Sequence, residues 1–329
     1  MKKTTDFVFP EFPLLLAPME DVTNPPFRLI CRELGADVVY TEFISSEGLI
    51  RDAEKSKKKL GFYEAERPVG IQIFGHNEES MRVATEMAEA ANPDFIDLNF
   101  GCPVSKVISK GAGAAMLRTV PAMISITSMV VKQSSIPVTA KTRIGWDEKS
   151  KNIVEVAEML QDAGIKALTI HGRTRAQMYK GEADWTLIGE VKNNPRMTIP
   201  VFGNGDIDSP EKALEMKNRY GVDGLMIGRA IIGYPWLFRE VRHFLDHGVR
   251  IEPPLVRERV ELCRRHLGES MKYNDERYGL LLMRKHYGGY FRGLPDFKQF
   301  RLPLVTASSY TDILAILESV AKFYENAGM

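Results

Sequence analysis

Cysteine is scarce in this chain, and its spacing argues against two classes of protein. The 329 residues include three cysteines, Cys31, Cys102 and Cys263, which lie far apart and form no C-x-x-C pair. An odd number of widely spaced cysteines fits neither a disulfide framework nor a cysteine-rich zinc site. We therefore expect a cytoplasmic protein, and we expect no bound metal.

Long apolar runs are missing as well. No segment approaches the roughly 20 consecutive apolar residues that a membrane-spanning helix needs. The chain begins with a basic pair, Lys2 and Lys3, but Asp6, Glu11 and two prolines interrupt the apolar residues that follow, unlike a signal peptide. The sequence therefore predicts a soluble protein without a membrane partner.

Charge of one sign is not in excess. The formal net charge of +1 at pH 7 argues against a protein that coats nucleic acid over its whole surface, but it permits a local basic face. Hydrophobic residues make up 44% of the chain, which is enough for one large packed domain and a smaller one.

Short β-rich apolar runs do recur, and segments with helical periodicity separate them. This alternation predicts right-handed βαβ units and a parallel sheet. Eight units in about 240 residues fit a closed (β/α)8 TIM barrel better than an open doubly wound sheet. The predicted strands are LLLAPM at 14–19, VVYTEF at 38–43, VGIQIFG at 69–75, FIDLNFG at 95–101, VTAKTR at 138–143, ALTIHGR at 167–173, IPVFGNGD at 199–206 and GLMIGR at 224–229.

The pattern changes after Trp236, where strand signals end and helical periodicity continues. The Pro253-Pro254 pair marks a boundary. We assign residues 1–245 to the barrel and residues 246–329 to a small all-helical domain. The predicted helical stretches are 255–273, 277–293 and 309–327.

Polar side chains cluster at the carboxyl ends of the predicted strands, where barrels of this kind carry their functional groups. An unpaired polar group on a buried strand costs about 1 to 3 kcal/mol, so several together indicate a site. The candidates are Met19, Glu20, Glu42, Gln72, Asn99, Cys102, Lys141, Arg143, His171, Arg173, Asn204, Asp206, Gly228 and Arg229.

Two glycine-containing loops, FGNGDI and IGRA, follow the last two predicted strands. Barrels often hold a phosphate at this position with backbone N–H groups, and Arg229 adds a fork that suits phosphate oxygens. Tight turns at Gly203, Gly205 and Gly228 are the alternative interpretation.

Lys141 lies within a strand and has two possible roles. It either forms a Schiff base, as in barrel aldolases, or stays protonated and stabilises a developing anion such as a reduced flavin ring. A lysine that only reaches from a strand end to solvent is the third interpretation. His171 lies close in sequence to Arg173, which favours contact with an anion over a purely structural histidine.

Cys102 lies in a loop between Gly101 and Pro103, whereas Cys31 and Cys263 fall within helical patterns. A thiol with a pKa of about 8.5 is mostly protonated at neutral pH and can donate a proton. The sequence shows no obvious base that would activate it as a protease nucleophile. We predict a general acid, and a small buried hydrophobe is the alternative.

Six motifs occur in order along the chain: APM at 17–19, FGCP at 100–103, AKTR at 140–143, IHGRTR at 170–175, NGDI at 204–207 and GRA at 228–230. In combination they resemble the tRNA-dihydrouridine synthase family, in particular its bacterial B subfamily. The resemblance implies an FMN-containing barrel that uses NADPH to reduce the C5=C6 bond of specific uridines in tRNA to 5,6-dihydrouridine.

The resemblance also implies roles for individual residues. Cys102 gives the proton to C5 of the uracil, Asn99 helps to hold the base, and we add Arg173 to the substrate contacts. Glu20 departs from the family pattern, in which many members have a small residue here. The residues that line the FMN site are Pro18, Met19, Gln72, Lys141, His171, Asn204, Gly205, Asp206, Gly228 and Arg229.

The helical region carries local positive charge. Residues 257–301 contain 11 lysines or arginines against 6 acidic residues, interleaved with aromatic side chains. Such a face suits contact with the backbone of folded RNA, and a solvated bundle surface is the alternative. We predict that Arg284 and Lys285 contact tRNA, and we predict no obligate protein partner.

Three other functions stay open. A flavin barrel that reduces a free pyrimidine would explain the loops and Lys141 but leaves the basic helical region without a role. An RNA-binding protein on an inactive barrel would have lost Cys102, Lys141 or His171, all of which are present. A Schiff-base aldolase would use Lys141.

Overall fold

The computed structural model describes residues 7–328 and shows a parallel β-barrel surrounded by helices, followed by a helical region. The predicted fold is confirmed. The basic pair at the N-terminus and the outermost residues of both predicted domains lie outside the described residues.

Parallel pairing places the strands in the order β1-β9-β8-β7-β6-β5-β4-β2, and β3 also pairs with β4. A bridge between Leu15 and Val38 joins the first strand to the second and closes the barrel. The strands are β1 (Leu14–Leu16), β2 (Val39–Tyr40), β3 (Ile44–Ser45), β4 (Val69–Phe74), β5 (Phe95–Asn99), β6 (Val138–Arg143), β7 (Leu168–His171), β8 (Val201–Asn204) and β9 (Gly224–Ile227).

Of the predicted strand at 38–43, only Val39–Tyr40 forms a strand, β2, and a second short strand, β3, follows at Ile44–Ser45, outside the predicted range. Between them the side chain of Thr41 takes part in the pairing, because its Oγ1 accepts a hydrogen bond of 3.1 Å from the backbone N–H of Gln72. A side-chain acceptor replaces a backbone carbonyl there and interrupts the ladder.

Helices follow most strands, and their ends carry the expected caps. Asn77 caps the helix Glu78–Ala90 by accepting from Ser80 N, and the helix Pro210–Tyr220 is followed by the capping residue Gly221, whose φ is +65°. The helices are α1 (Pro25–Glu33), α2 (Ser46–Ile50), α3 (Glu54–Lys58), α4 (Glu78–Ala90), α5 (Ser105–Ile108), α6 (Val120–Gln133), α7 (Ile153–Asp162), α8 (Thr186–Asn193), α9 (Pro210–Tyr220), α10 (Leu237–His247), α11 (Val256–Tyr273), α12 (Glu276–Met283), α13 (Tyr287–Tyr290), α14 (Lys298–Thr306) and α15 (Tyr310–Asn326). Across residues 7–328, none of them is long and apolar enough to cross a membrane.

The barrel interior is apolar in its lower part and polar at the carboxyl ends of its strands. Phe7 and Phe9 pack against an apolar cluster that includes Phe95 and Phe202. A Cβ on Gly70 would lie 2.2 Å from the Phe95 ring, so glycine makes room for that ring. Because side chains alternate along a strand, the polar interior positions lie above these rings on the same strands.

The helical region packs on the barrel through α1. Arg265 of α11 forms an ion pair of 2.6 Å with Glu33, and His266 stacks on Phe27 with ring centroids 5.2 Å apart. One continuous cluster of buried residues extends through both parts of the chain. The residues between α10 and α11, 248–255, form neither helix nor strand, and the division of the chain at 245 stays a prediction.

Two of the predicted C-terminal helical stretches form as single helices, α11 and α15. The stretch at 277–293 instead breaks into α12 and α13, and α14 was not predicted from the sequence. A Cβ on Gly289 would lie 1.9 Å from the carbonyl oxygen of Ile232. The backbone of α13 therefore lies directly against the loop that follows β9.

Candidate functional site

A cavity of about 550 Å³ opens at the carboxyl ends of the strands. It brings together every predicted cofactor contact, from Pro18 to Arg229, with Cys102 and Asn99. Arg173, Arg284 and Lys285 lie outside its lining. The sequence therefore located one common site, and the role of each residue in it stays a prediction.

The loop after β5 holds Cys102 in the cavity wall, where the residue is 7% exposed. Asn99 Oδ1 accepts hydrogen bonds from the backbone N–H groups of Gly101 at 3.0 Å and Cys102 at 2.9 Å. A Cβ on Gly113, whose φ is +60°, would lie 2.9 Å from the Cys102 carbonyl oxygen, so the glycine turn packs directly against this loop. Burial raises the pKa of the Cys102 thiol, which therefore keeps its proton at neutral pH.

Arg143, at the end of β6, ties two cavity loops together. Its Nε donates to the Gly101 carbonyl at 2.7 Å, and its Nη1 donates to the carbonyls of Thr174 at 3.0 Å and Met178 at 2.8 Å. Burial lowers its pKa to about 10, so the guanidinium stays charged at neutral pH. The sequence predicted that Arg143 lies at the site but not that it joins these loops, because its partners are backbone carbonyls that no motif reveals.

Lys141 and His171 form one wall of the cavity, in which Lys141 carries the positive charge and the imidazole of His171 is neutral at neutral pH. Lys141 Nζ donates to Asn204 Oδ1 at 3.1 Å, and Asn204 is itself fixed by a bond of 2.7 Å from Nδ2 to the Met226 carbonyl. Burial, with the charge of Arg143, lowers the pKa of Lys141 to about 8. The same causes lower the pKa of His171 well below its ordinary value. This wall favours an anionic or electron-rich ligand.

Asp206 is held between two arginines. Arg173 Nη2 donates to Oδ2 at 2.6 Å, Arg229 Nη2 donates to Oδ1 at 3.0 Å, and Ala183 N donates to Oδ2 at 2.8 Å. Arg173 is 2% exposed and also bonds the carbonyl of Gly181. Arg173 therefore supports the wall from behind, while Arg229 reaches the cavity with its side chain 51% exposed.

The glycines of the two loops differ in role. A Cβ on Gly203 would lie 2.0 Å from the Trp185 ring, so this glycine makes room for a tryptophan. Gly205 has a φ of +130° and its carbonyl accepts from Trp185 Nε1 at 3.0 Å. Gly205 and Gly228 line the cavity, and Gly203 does not.

Some lining residues had no signal in the sequence. Tyr179, 49% exposed, lies 5.7 Å from the Arg143 guanidinium and 5.3 Å from that of Arg229, measured to its ring centroid. Arg292, in the segment after α13, brings the helical region to the cavity. Tyr179 lies outside the strand-end motifs, in the loop after the motif at 170–175, and Arg292 is far from all of them, so only the fold shows that both line the cavity.

Glu20, the departure from the family pattern, lies at the cavity next to an ion pair. Both of its carboxylate oxygens accept from Lys59 Nζ at 2.6 Å. The neighbouring Glu42 accepts from the backbone N–H of Asp21 at 2.6 Å, and burial raises its pKa although Lys59 opposes this. The Glu20 charge is thus neutralised by protein rather than by ligand.

The chain matches known proteins over nearly its whole length. The family model described as Dihydrouridine synthase (Dus) matches residues 15–326. The tRNA-dihydrouridine synthase B of Pseudomonas aeruginosa is 41% identical over 288 residues, which cover 88% of this chain and 86% of that protein. Proteins of the same description from Shewanella oneidensis and Klebsiella pneumoniae are 39% identical over 288 residues and 37% identical over 314 residues. They cover 88% and 95% of this chain, and 88% and 96% of those proteins.

Among solved structures, histamine dehydrogenase from Rhizobium sp. 4-9 has a similar fold, with a TM-score of 0.53 and 12% sequence identity. The match covers 81% of this chain and 51% of that one and supports the barrel fold alone. The resemblance seen in the six motifs is confirmed by the family model and by the relatives. The chain belongs to the dihydrouridine synthase family and is an oxidoreductase.

Proposed function

We propose that this protein reduces the C5=C6 bond of specific uridines in tRNA to 5,6-dihydrouridine, with FMN as its bound cofactor and NADPH as its electron donor. The observation that carries the proposal is that one cavity brings together a protonated thiol, Cys102, and a wall formed by the ammonium of Lys141 and the neutral imidazole of His171. Family membership and the names of the bacterial relatives support the same substrate.

The residues of the cavity fit a flavin mononucleotide. Lys141, partly buried and bonded to a neutral amide, suits the electron-rich end of a flavin ring, because it would stabilise negative charge that develops there. Arg229 and the loops of Gly205 and Gly228 suit the phosphate. Reduced FMN held by these residues would supply the hydride for C6 of the uracil.

The chain's own residues then complete the saturation. Cys102 holds a proton on Sγ and transfers it to C5, and the resulting thiolate is stabilised by the charges of Arg143 and Lys141. Asn99 and Arg143 fix the Cys102 loop through its backbone. A uridine must leave the RNA stack to enter the cavity, so the loop meets a flipped base.

The helical region supplies the surface for RNA. Arg292 of this region lines the cavity, and Tyr179, which also lines it, presents an exposed ring on which a base can stack. Arg284 and Lys285 are both exposed, but Lys285 Nζ forms an ion pair of 3.4 Å with Asp21 Oδ2. A phosphate contact is therefore better supported for Arg284 than for Lys285.

A Schiff-base function for Lys141 is the second candidate, because burial lowers its pKa to about 8 and leaves part of the amine neutral. Borohydride trapping of a carbonyl substrate on Lys141 would support it. Retained flavin and absence of trapping would support the reductase.

The decisive experiment uses the purified full chain. We expect a yellow protein whose released cofactor is FMN by chromatography, and dihydrouridine in tRNA after incubation with NADPH and tRNA from cells that lack the modification. Free uridine monophosphate is the matched control substrate and should react far more slowly, because it lacks the rest of the tRNA that would bind the exposed surface of the helical region. A protein that stays colourless after reconstitution with FMN would refute the proposal.

A further inference from the structure

A buried carboxylate lies beneath the cavity, in the middle of β5. Asp97 is fully buried and does not line the cavity. Its Oδ1 accepts from Thr139 Oγ1 at 2.5 Å, and its Oδ2 accepts from Gln72 Nε2 at 2.6 Å. Burying a carboxylate without a cationic partner in direct contact costs free energy, which suggests that Asp97 has a function that offsets this cost.

Asp97 is one end of a chain of hydrogen bonds that runs to the catalytic loop. Gln72 Oε1 accepts from Asn99 Nδ2 at 2.9 Å. Asn99 Oδ1 in turn accepts from the backbone N–H groups of Gly101 at 3.0 Å and Cys102 at 2.9 Å. All the side chains in it are buried.

The two ends of this series of hydrogen bonds determine the orientation of the side-chain amides of Gln72 and Asn99. An ionised carboxylate only accepts hydrogen bonds, so Gln72 must present its nitrogen to Asp97. Backbone N–H groups only donate, so Asn99 must present its oxygen to the Cys102 loop. One arrangement of the two amides satisfies every bond, and it is the arrangement that the structure shows.

We propose that Asp97 is a positioning residue that acts through Gln72 and Asn99 to fix the backbone of the Cys102 loop. An asparagine at position 97 could donate as well as accept, so Gln72 could turn over and release Asn99 from its single orientation. The consequence for catalysis rests on the proposed function, whereas the consequence for the loop does not.

The charge state of Asp97 agrees with this role. Burial raises its pKa to about 6, although the hydrogen bonds from Gln72 and Thr139 and the charge of Lys141 lower it. The carboxylate is therefore mostly ionised above neutral pH and acts as an acceptor only.

The test measures the loop directly in the purified, flavin-loaded protein, with iodoacetamide as the probe. Cys31 and Cys263 have no exposed surface and serve as internal references, so peptide mass spectrometry reports alkylation at Cys102 alone. For Asp97→Asn we expect alkylation about 10-fold faster, and kcat about 10- to 100-fold lower with the KM for tRNA nearly unchanged, because the thiol is displaced and the RNA surface is not.

Asp94→Asn is the matched control. Asp94 immediately precedes β5, at its opposite end, where it accepts from Val69 N at 2.7 Å and from Arg67 at 3.2 Å. It lies outside the chain that reaches Cys102, so both readouts should stay within about twofold of wild type.

A rescue variant separates positioning from mere structural support. The double variant Gln72→Glu, Asp97→Asn exchanges carboxylate and amide between neighbouring positions. The carboxylate at position 72 can then accept from Asn99 Nδ2, which restores the orientation of Asn99. We expect Cys102 alkylation to return to within about twofold of wild type, whether or not flavin binding changes.

Two results would overturn the proposal: wild-type alkylation in a folded Asp97→Asn variant, or no restoration in the double variant. Should Asp97→Asn fail to fold, Thr139→Val replaces it, since this change removes one anchor of the carboxylate and should speed alkylation about threefold. Wild-type alkylation in that variant would equally overturn the proposal. Failure of the wild-type protein to form dihydrouridine would instead count against the proposed function and leave the alkylation results intact.

Discussion

Cys102 combines the burial of a core cysteine with a place in a cavity wall. The sequence left two interpretations open, a general acid and a small buried hydrophobe, and the structure shows why each was reasonable. The thiol is almost fully buried, yet it lines the cavity. Burial raises its pKa, which suits a proton donor and disfavours a thiolate nucleophile.

Replacing Cys102 by alanine should remove turnover and keep binding. We expect dihydrouridine formation to fall by about 10²- to 10⁴-fold, the usual contribution of a general acid, with the flavin spectrum and tRNA affinity retained. Mass spectrometry of the product nucleosides measures the first and filter binding the second. Cys263→Ala is the control, because that thiol is buried in α11 away from the cavity. Full activity in Cys102→Ala would refute its role.

Lys141 should give the reaction a pH dependence. Its pKa is lowered to about 8 by burial, so the ammonium is present below that pH and is lost as the pH rises through it. We expect flavin reduction by NADPH to slow above about pH 8 in wild type. Lys141→Arg keeps its charge, so this limb should disappear, whereas Lys141→Met should be slow at every pH. Stopped-flow absorbance measures these rates, and an unchanged limb in Lys141→Arg would contradict the assignment.

Among the elements, the loop between β1 and α1 joins the cavity to the helical region. Asp21, with a φ of +55°, accepts from Tyr278 Oη of α12 at 2.9 Å and from Lys285 Nζ at 3.4 Å. Burial alone would raise the pKa of Asp21, but the Tyr278 hydrogen bond and the charges of Lys285 and Lys55 hold it below its ordinary value of 3.8. The contact is therefore fully present above about pH 4 and is lost only in acid, as pH falls through the folded-state pKa.

Removing the hydrogen bond between Tyr278 and Asp21 should weaken the binding of tRNA and leave the reduction of the flavin unchanged. For Tyr278→Phe we expect a loss of about 1 kcal/mol in unfolding free energy and a rise of up to about fivefold in the KM for tRNA. Flavin reduction by NADPH should not change. Tyr324→Phe removes a hydroxyl that bonds Pro295 within the helical region and should cost similar stability with no change in KM. Equal KM values in the two variants would show that the loop does not orient the helical region.

At the scale of the whole molecule, the architecture was predictable because its signals are local. Each barrel strand is a short apolar run, and the periodicity of apolar residues and the residues at the helix ends predict helices such as α4 and α7. The division of the second strand was not predictable, because it depends on Thr41 bonding Gln72 across the sheet. Likewise the close packing of Gly289 in α13 against Ile232 is a tertiary contact that the sequence does not reveal.

The residues of the candidate site likewise fall into those that the sequence predicted and those that it did not. Residues at the strand ends could be collected from the sequence, since parallel strands bring their carboxyl ends to one rim. Tyr179, Arg292 and the chain from Asp97 to Cys102 could not, because their partners are set by tertiary contacts. Arg173 forms an ion pair with Asp206, which neutralises its charge. No sequence pattern predicted this ion pair.

The RNA contacts of Arg284 and Lys285 stay predictions, and the structure shows how the two residues differ. Arg284 and Lys285 are both exposed, as a phosphate contact requires, but Lys285 shares its charge with Asp21. Reversing the charge of both residues would also place an acidic group beside Asp21 and disturb the barrel contact. Single neutral substitutions avoid this and make the two residues distinguishable.

For Arg284→Gln we expect weaker tRNA binding and a salt dependence whose slope, log Kd against log salt concentration, is smaller by about 1, because one phosphate contact and its released counterion are lost. Lys285→Gln should change the slope less, since Asp21 already neutralises part of that charge. Lys166→Gln is the control, because Lys166 is exposed just before β7, at the end of the barrel opposite the cavity. Flavin content should be the same in all three variants. A salt titration of Arg284→Gln that superimposes on that of Lys166→Gln would remove Arg284 from the RNA surface and place the phosphate contacts elsewhere on the helical region.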